Sequence, residues 1–152
     1  ILFGVTYALL DLAAQYPQHL KHTLIMETGG MKGKRKELLK EEIHQLLEVG
    51  FLTENIHSEY GMTELLSQSY SKGKNIFNSP PWMKILIRDV NDPLSIIGNN
   101  KTGGINIIDL ANIYSCPFIA TQDLGKQFDD DSFSVLGRFD NSDVRGCNLL
   151  VQ

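Results

Sequence analysis

Cysteine is nearly absent: Cys116 and Cys147 are the only two in 152 residues. They form no Cys-x-x-Cys pair and have no histidines at zinc-ligand spacing. This argues against a disulfide framework and a structural zinc site, and it favours a reducing, cytoplasmic setting. Basic charge is also short. Fourteen Lys and Arg stand against eighteen Asp and Glu, a formal net charge of -4, so the electrostatic footprint of a nucleic-acid binder is missing. No apolar run approaches the roughly 20 residues that a membrane-spanning helix needs, and no signal-peptide pattern is seen.

What is there is an ordinary globular composition, 42% hydrophobic and 21% charged, enough to build a core of normal size. The opening stretch starts at Ile1 and reads as the middle of a fold, so the sequence is expected to be a fragment of a longer protein.

The first third alternates strand and helix signals. "ILFGVT" is followed by the helical "ALLDLAAQY" and the apolar "HTLIMET", which ends at Gly29 and Gly30. Leu38, Leu39, Ile43, Leu46 and Leu47 then recur at helical spacing, with Lys40, Glu41, Glu42 and Glu48 on the opposite face and Gly50 as the expected stop. The strand "NIHSEYG" completes a βαβαβ pattern, which implies parallel strands and right-handed crossovers. From about Lys74 the character changes to short strand runs, "MKILIRDV", "GGINIIDLA", "FIATQDLG", "SFSVLGRF" and "VRGCNLLV", separated by turn residues. The expected class is therefore α/β: a parallel βαβαβ portion over 1–73, a small antiparallel, barrel-like or meandering β unit over 74–139, and a closing segment over 140–152. "SPP" at Ser79 to Pro81 is a plausible connector.

The segments "ETGGMKG" and "EYGMTE" both follow strands of the parallel part. Both should sit at its carboxyl edge, where open α/β sheets bind ligands, as candidates for opposite walls of one site. Several side chains admit two readings. Tyr60 is a core aromatic or a stacking surface; Glu64 is a first-turn carboxylate or a metal ligand; Asp123 and Asp140 are turn formers or ligand-binding acids. Lys32, Lys34, Arg35 and Lys36 are a solvated basic face or an anion site before a helix. Asp129 to Asp131 read as a solvated hairpin tip. His19 and His22 read as loop residues, since no third metal ligand is evident. Cys116, in the apolar "YSCPFIA", reads as structural, and His57 has no assigned role.

Read in order, "EYGMTE", "TQDLG" and "GRFDNSDVRG" resemble the later core motifs of the adenylate-forming, AMP-binding enzyme superfamily. A closer resemblance covers most of the chain: "METGGMKGKRKE", "SEYGMTELLSQSY", "GGINIIDLANIYSCPFIATQDLG" and "GRFDNSDVRGCNLLV" are similar to the acyl-protein synthetases, the fatty-acid protein ligases of bioluminescence-type fatty acid reductase systems. The β-rich and parallel parts would then belong to the large domain of such an enzyme.

That resemblance implies ATP and Mg²⁺ as cofactors, a fatty acid as substrate and an acyl-CoA-reductase-like protein as partner. It implies that Tyr60 lies against the adenine, with Gly29, Gly30 and Gly61 allowing close backbone approach. Thr63 would bond the α-phosphate, Glu64 would hold Mg²⁺, Asp123 would accept from the ribose hydroxyls, and Arg138 would reach ribose or phosphate. Asp140 matches the superfamily's hinge. Cys147 matches the cysteine that takes the acyl group as a thioester, and an extended "DVRGC" would set Arg145 on its face, where a cation favours thiolate. Without the resemblance, Cys147 reads as a buried structural thiol. The superfamily's phosphate loop would lie upstream of Ile1, so the stretch alone is expected to bind nucleotide poorly and turn over little. An acyl- or aryl-CoA ligase of the phenylacetate-CoA ligase type, and an inactive interaction module, remain the alternatives.

Overall fold

A computed structural model describes residues 1–30 and 38–139, which divide into two compact units. The first takes in Ile1–Thr63 and Gln68–Phe77, and the second Glu64–Ser67 and the chain from Asn78. The chain thus leaves the first unit after Thr63 and returns to it at Gln68.

The first unit is built on three parallel strands, β1 (Leu2–Val5), β2 (Ile25–Thr28) and β3 (Ile56–Tyr60). They are joined by α1 (Thr6–Gln15) and α2 (Lys40–Phe51), the alternation anticipated from the sequence. A short strand, β4 (Ser69–Ser71), pairs antiparallel with β3. The core is a single cluster of Leu9, Leu10 and Ala13 from α1, Ile43, Leu47 and Phe51 from α2, and Ile25 and Ile56 from the strands. Spacings of three and four residues bring each helix's apolar members to one face.

Helix α2 differs from its sequence pattern in two respects. Leu39 and Leu46 are exposed, whereas His44 is buried, because His44 Nε2 meets Ser58 Oγ at 2.9 Å and so satisfies its polar atom inside. Gly50 does not end the helix. It sits inside the last turn against α1, where an added Cβ would fall 2.6 Å from Ala13 Cβ, and the chain turns instead at Leu52, with φ of 48°.

The strand β5 (Phe77–Asn78) falls at the division between units. The second unit contains β6 (Met83–Arg88), β7 (Ile96–Ile97), β8 (Thr102–Asp109), β9 (Phe118–Gln127) and β10 (Phe133–Arg138). All pair antiparallel, in the order β10-β9-β8-β6-β7. Met83, Ile85 and Ile87 alternate inward along β6, opposite Ile105 and Ile107 of β8, the period-two pattern of a strand with one buried face. The β9–β10 turn holds the three acids. Asp130 accepts from the Ser132 amide and hydroxyl, and Asp129 accepts from Asn99 and Asn100 at the surface, as a solvated hairpin tip should. Among the described residues no helix is long and apolar enough to cross a membrane.

Candidate functional site

The parallel strands end level. Register pairs Val5 with Thr28, and Thr28 with Glu59. Thr6, Gly29 and Tyr60 therefore occupy one edge, the carboxyl edge at which both glycine-flanked segments were expected. Gly29 adopts φ of 74°, a left-handed conformation that glycine takes without a side-chain penalty. Glu59 accepts from Thr28 Oγ1 at 3.1 Å.

Beneath this edge lies a buried polar cluster that the sequence reading did not single out. Glu27 is wholly buried. Its carboxylate accepts from Thr6 Oγ1 and from Lys40 Nζ, each at 2.5 Å, and His44 Nε2 is 3.9 Å away. Lys40, expected on a solvated helix face, is turned inward by this pairing. Burial alone would push the Glu27 pKa up, but His44 and the Lys40 ammonium outweigh it and bring it down to about 2. The same Thr6 oxygen is 3.2 Å from the Thr28 carbonyl and 3.1 Å from that of Gly29, so one hydroxyl ties the start of α1 to the turn after β2. A lone acid in the apolar "LIMET" was the available signal, since an unpaired carboxylate is seldom fully buried.

Tyr60, the last residue of β3, is only 9% exposed and packs edge-on against Phe77, with ring centroids 6.0 Å apart and an interplanar angle of 62°. Gly61 lies close to Gln68, and a Cβ there would come 3.0 Å from Gln68 Cγ. Thr63 is exposed. Burial, with Lys72 and His44 nearby, lowers the His57 pKa, so its imidazole is neutral at pH 7.

In the second unit, Glu64 is exposed while the three residues after it are held in place. Asp109, wholly buried, accepts from the amides of Leu66, Ser67 and Ala111 and from the Ser67 hydroxyl. Burial would raise its pKa; these donors outweigh it and hold it below the ordinary carboxylate range. Among the described residues no group of three or more His, Cys, Asp and Glu could hold a metal ion. The exposed Glu64 carboxylate is of the kind that could serve as a single protein ligand to Mg²⁺, which commonly takes one or two carboxylates with phosphate oxygens and water.

Asp123 of β9 and Arg138 of β10 are direct partners across the ladder, with Arg138 Nε 3.5 Å from Asp123 Oδ1. A register shift between Val135 and Gly137, where Gly137 takes φ of 146°, sets that pairing. In the same unit, the Arg88 guanidinium donates to Asn106 Oδ1 at 2.7 Å and to the carbonyls of Ile105 and Thr121 at 3.0 and 2.6 Å. It also lies 5.3 Å from the centre of the Phe139 ring. Cys116 is exposed rather than packed in a core. Asp140, Arg145, Gly146 and Cys147, and the basic cluster Lys32, Lys34, Arg35 and Lys36, lie outside the described residues.

No protein-family profile matches the chain, and no curated protein matches it in sequence. Solved structures do match in fold. An ATP-bound MatB from Rhodopseudomonas palustris aligns with a TM-score of 0.63 at 18% identity, over 90% of this chain and 30% of that one. The chain shares the fold of a segment of that enzyme. An o-succinylbenzoate CoA synthetase from Bacillus subtilis gives a TM-score of 0.64 at 19% identity, again over 90% and 30%. A luciferase-like enzyme from the nonluminescent mealworm Zophobas morio gives 0.59 at 16%, over 90% and 38%. The chain spans about a third of the length of these structures.

Proposed function

We propose that the chain is part of an ATP-dependent ligase that activates a fatty acid as its acyl-adenylate and carries the acyl group on Cys147 as a thioester, for delivery to a reductase partner. The observation supporting this most directly is the level ending of β2 and β3, with Gly29 and Tyr60 at one edge, in a fold shared with ATP-bound MatB. In this reading the glycine turn and Tyr60 receive the adenine, Thr63 the α-phosphate, and Asp123 and Arg138 the ribose. Glu64 holds Mg²⁺, which supplies charge neutralisation on the phosphates.

In the first step a carboxylate oxygen of the acid attacks the α-phosphorus of ATP. The new O–P bond replaces the bond to the β-phosphate, and pyrophosphate leaves. Positioning and charge stabilisation are most of what such a transfer requires. In the second step the Cys147 thiolate attacks the acyl carbon, the C–O bond to the phosphate breaks, and AMP departs.

A second reading is an acyl- or aryl-CoA ligase, in which coenzyme A takes the place of Cys147. It is supported by the CoA ligases among the structural neighbours, including a benzoate CoA ligase from Burkholderia xenovorans. Mass spectrometry of the intact protein after incubation with ATP, Mg²⁺ and fatty acid separates the two. A covalent acyl adduct that Cys147→Ser abolishes, with pyrophosphate exchange retained, supports the protein thioester. Acyl-CoA formed by the Cys147→Ser protein supports the second reading and ends the first.

A further inference from the structure

We propose that Asp109 and Asn112 are positioning residues for Glu64, so that the "IIDLAN" segment sets where the magnesium-side carboxylate stands. The inference rests on the proposed role of Glu64 and extends it to residues that touch neither nucleotide nor metal.

The geometry is a set of side-chain bonds to the backbone of residues 64, 66 and 67. Asn112 Nδ2 donates to the Glu64 carbonyl at 2.8 Å and to the Cys116 carbonyl at 3.1 Å. Asp109 Oδ2 accepts from the amides of Leu66 and Ser67 at 3.1 and 2.9 Å, and Oδ1 accepts from the Ser67 hydroxyl at 2.7 Å and the Ala111 amide at 3.1 Å. Trp82 Nε1 donates to the same Ser67 oxygen at 2.9 Å. Asp109 is 0% and Asn112 7% exposed, and Leu65 between the tied peptides is buried at 5%.

Burying a carboxylate and an amide is costly, and it is offset only when each polar atom is bonded. An apolar plug would hold a loop at less cost. Directional bonds at residues 64, 66 and 67 instead fix the backbone from which Glu64 projects, while its own side chain stays exposed. A carboxylate that must meet a small octahedral cation benefits from such a fixed base, because Mg²⁺ tolerates little departure from its preferred geometry.

The test compares Asn112→Ala, Asp109→Asn and Glu64→Gln in the intact protein, reading the Mg²⁺ concentration for half-maximal ATP–pyrophosphate exchange. Asn112→Ala, the milder change, carries the test where Asp109→Asn fails to fold. For Asn112→Ala and Asp109→Asn the expected result is a rise of about tenfold or more in that concentration, the usual size of a supporting-residue effect on metal affinity, with the rate at saturating Mg²⁺ nearly preserved; Glu64→Gln should raise it at least as far and lower the rate as well. A change that only loosened the fold would lower the unfolding temperature and leave the Mg²⁺ requirement alone. If Glu64→Gln shifts the requirement and Asn112→Ala does not, the positioning role is overturned. If Glu64→Gln leaves it unchanged, the role of Glu64 itself is wrong and the inference falls with it.

Discussion

Lys40 Nζ stands 2.5 Å from Glu27 Oε1, joining the first turn of α2 to the end of β2 through a carboxylate that is completely enclosed. Replacing Glu27 by Gln removes the charge and leaves Lys40, itself 22% exposed, facing a neutral amide. The expected loss is about 3 kcal/mol of unfolding free energy, in the range for breaking a buried pair, read as a lower denaturant midpoint.

The same carboxylate fixes the sign of an acid response. Its pKa falls from 4.5 to about 2 on folding, so the unfolded chain binds its proton first as pH drops. The stabilisation is complete above the unfolded value and fades as pH falls from about 5 toward 2. Equilibrium unfolding across that window should show a steep decline for the native protein and a much flatter one for Glu27→Gln.

Gly50→Ala should destabilise despite the gain in helix propensity. Alanine would gain about 1 kcal/mol in a free helix, but its Cβ would lie 2.6 Å from Ala13 Cβ and 2.9 Å from the Ala13 carbonyl oxygen. Forcing the helices apart costs about 1–3 kcal/mol. Thermal unfolding should show a lower midpoint, and Ala13→Gly in the same chain should recover part of it.

Gly104→Ala should displace Arg88, because the added carbon would sit 2.5 Å from its Cζ. The guanidinium would lose bonds to Ile105, Asn106 and Thr121 together. A fall of about 2 kcal/mol is expected from stranding such groups, and Arg88→Lys should not restore the native value, since an ammonium cannot reproduce the planar fork.

Arg138→Ala separates scaffold from chemistry. The Arg138 side chain is 73% exposed, and a surface ion pair of this kind contributes little, under about 1 kcal/mol. Unfolding should be nearly unchanged, while pyrophosphate exchange by the intact protein falls by tenfold or more if Arg138 meets the nucleotide, an interaction of about 1.4 kcal/mol or greater.

Much of this molecule was visible in its residue pattern, because period and punctuation are local. Met83, Ile85 and Ile87 announced a strand, and "FDDDS" a hairpin tip. The βαβαβ alternation led to the segments of Gly29 and Tyr60 being expected at one carboxyl edge, though as opposite walls of a site, whereas β2 and β3 are paired neighbours. The long-range polar partners were not visible. Thr6, Glu27, Lys40, His44 and Ser58 are scattered along the first sixty residues and meet only in the folded unit, so no local spacing marks them. Gly50 misled for a related reason: its small size answers to Ala13 across the helix contact, whereas the sequence offered only its habit of stopping helices. Asp109 carried no local signal either, because its four donors come mostly from residues more than forty positions earlier.

The excursion of Glu64–Ser67 into the second unit has a practical result for anyone dividing the protein. A cut after Phe77 would separate Asp109 from Leu66 and Ser67, leaving a carboxylate designed for enclosure with most of its donors on another polypeptide. The β-rich half expressed by itself would have to recruit water into that vacancy, whereas the same half carrying a grafted Glu64–Ser67 tetrapeptide would begin with the seam already sewn.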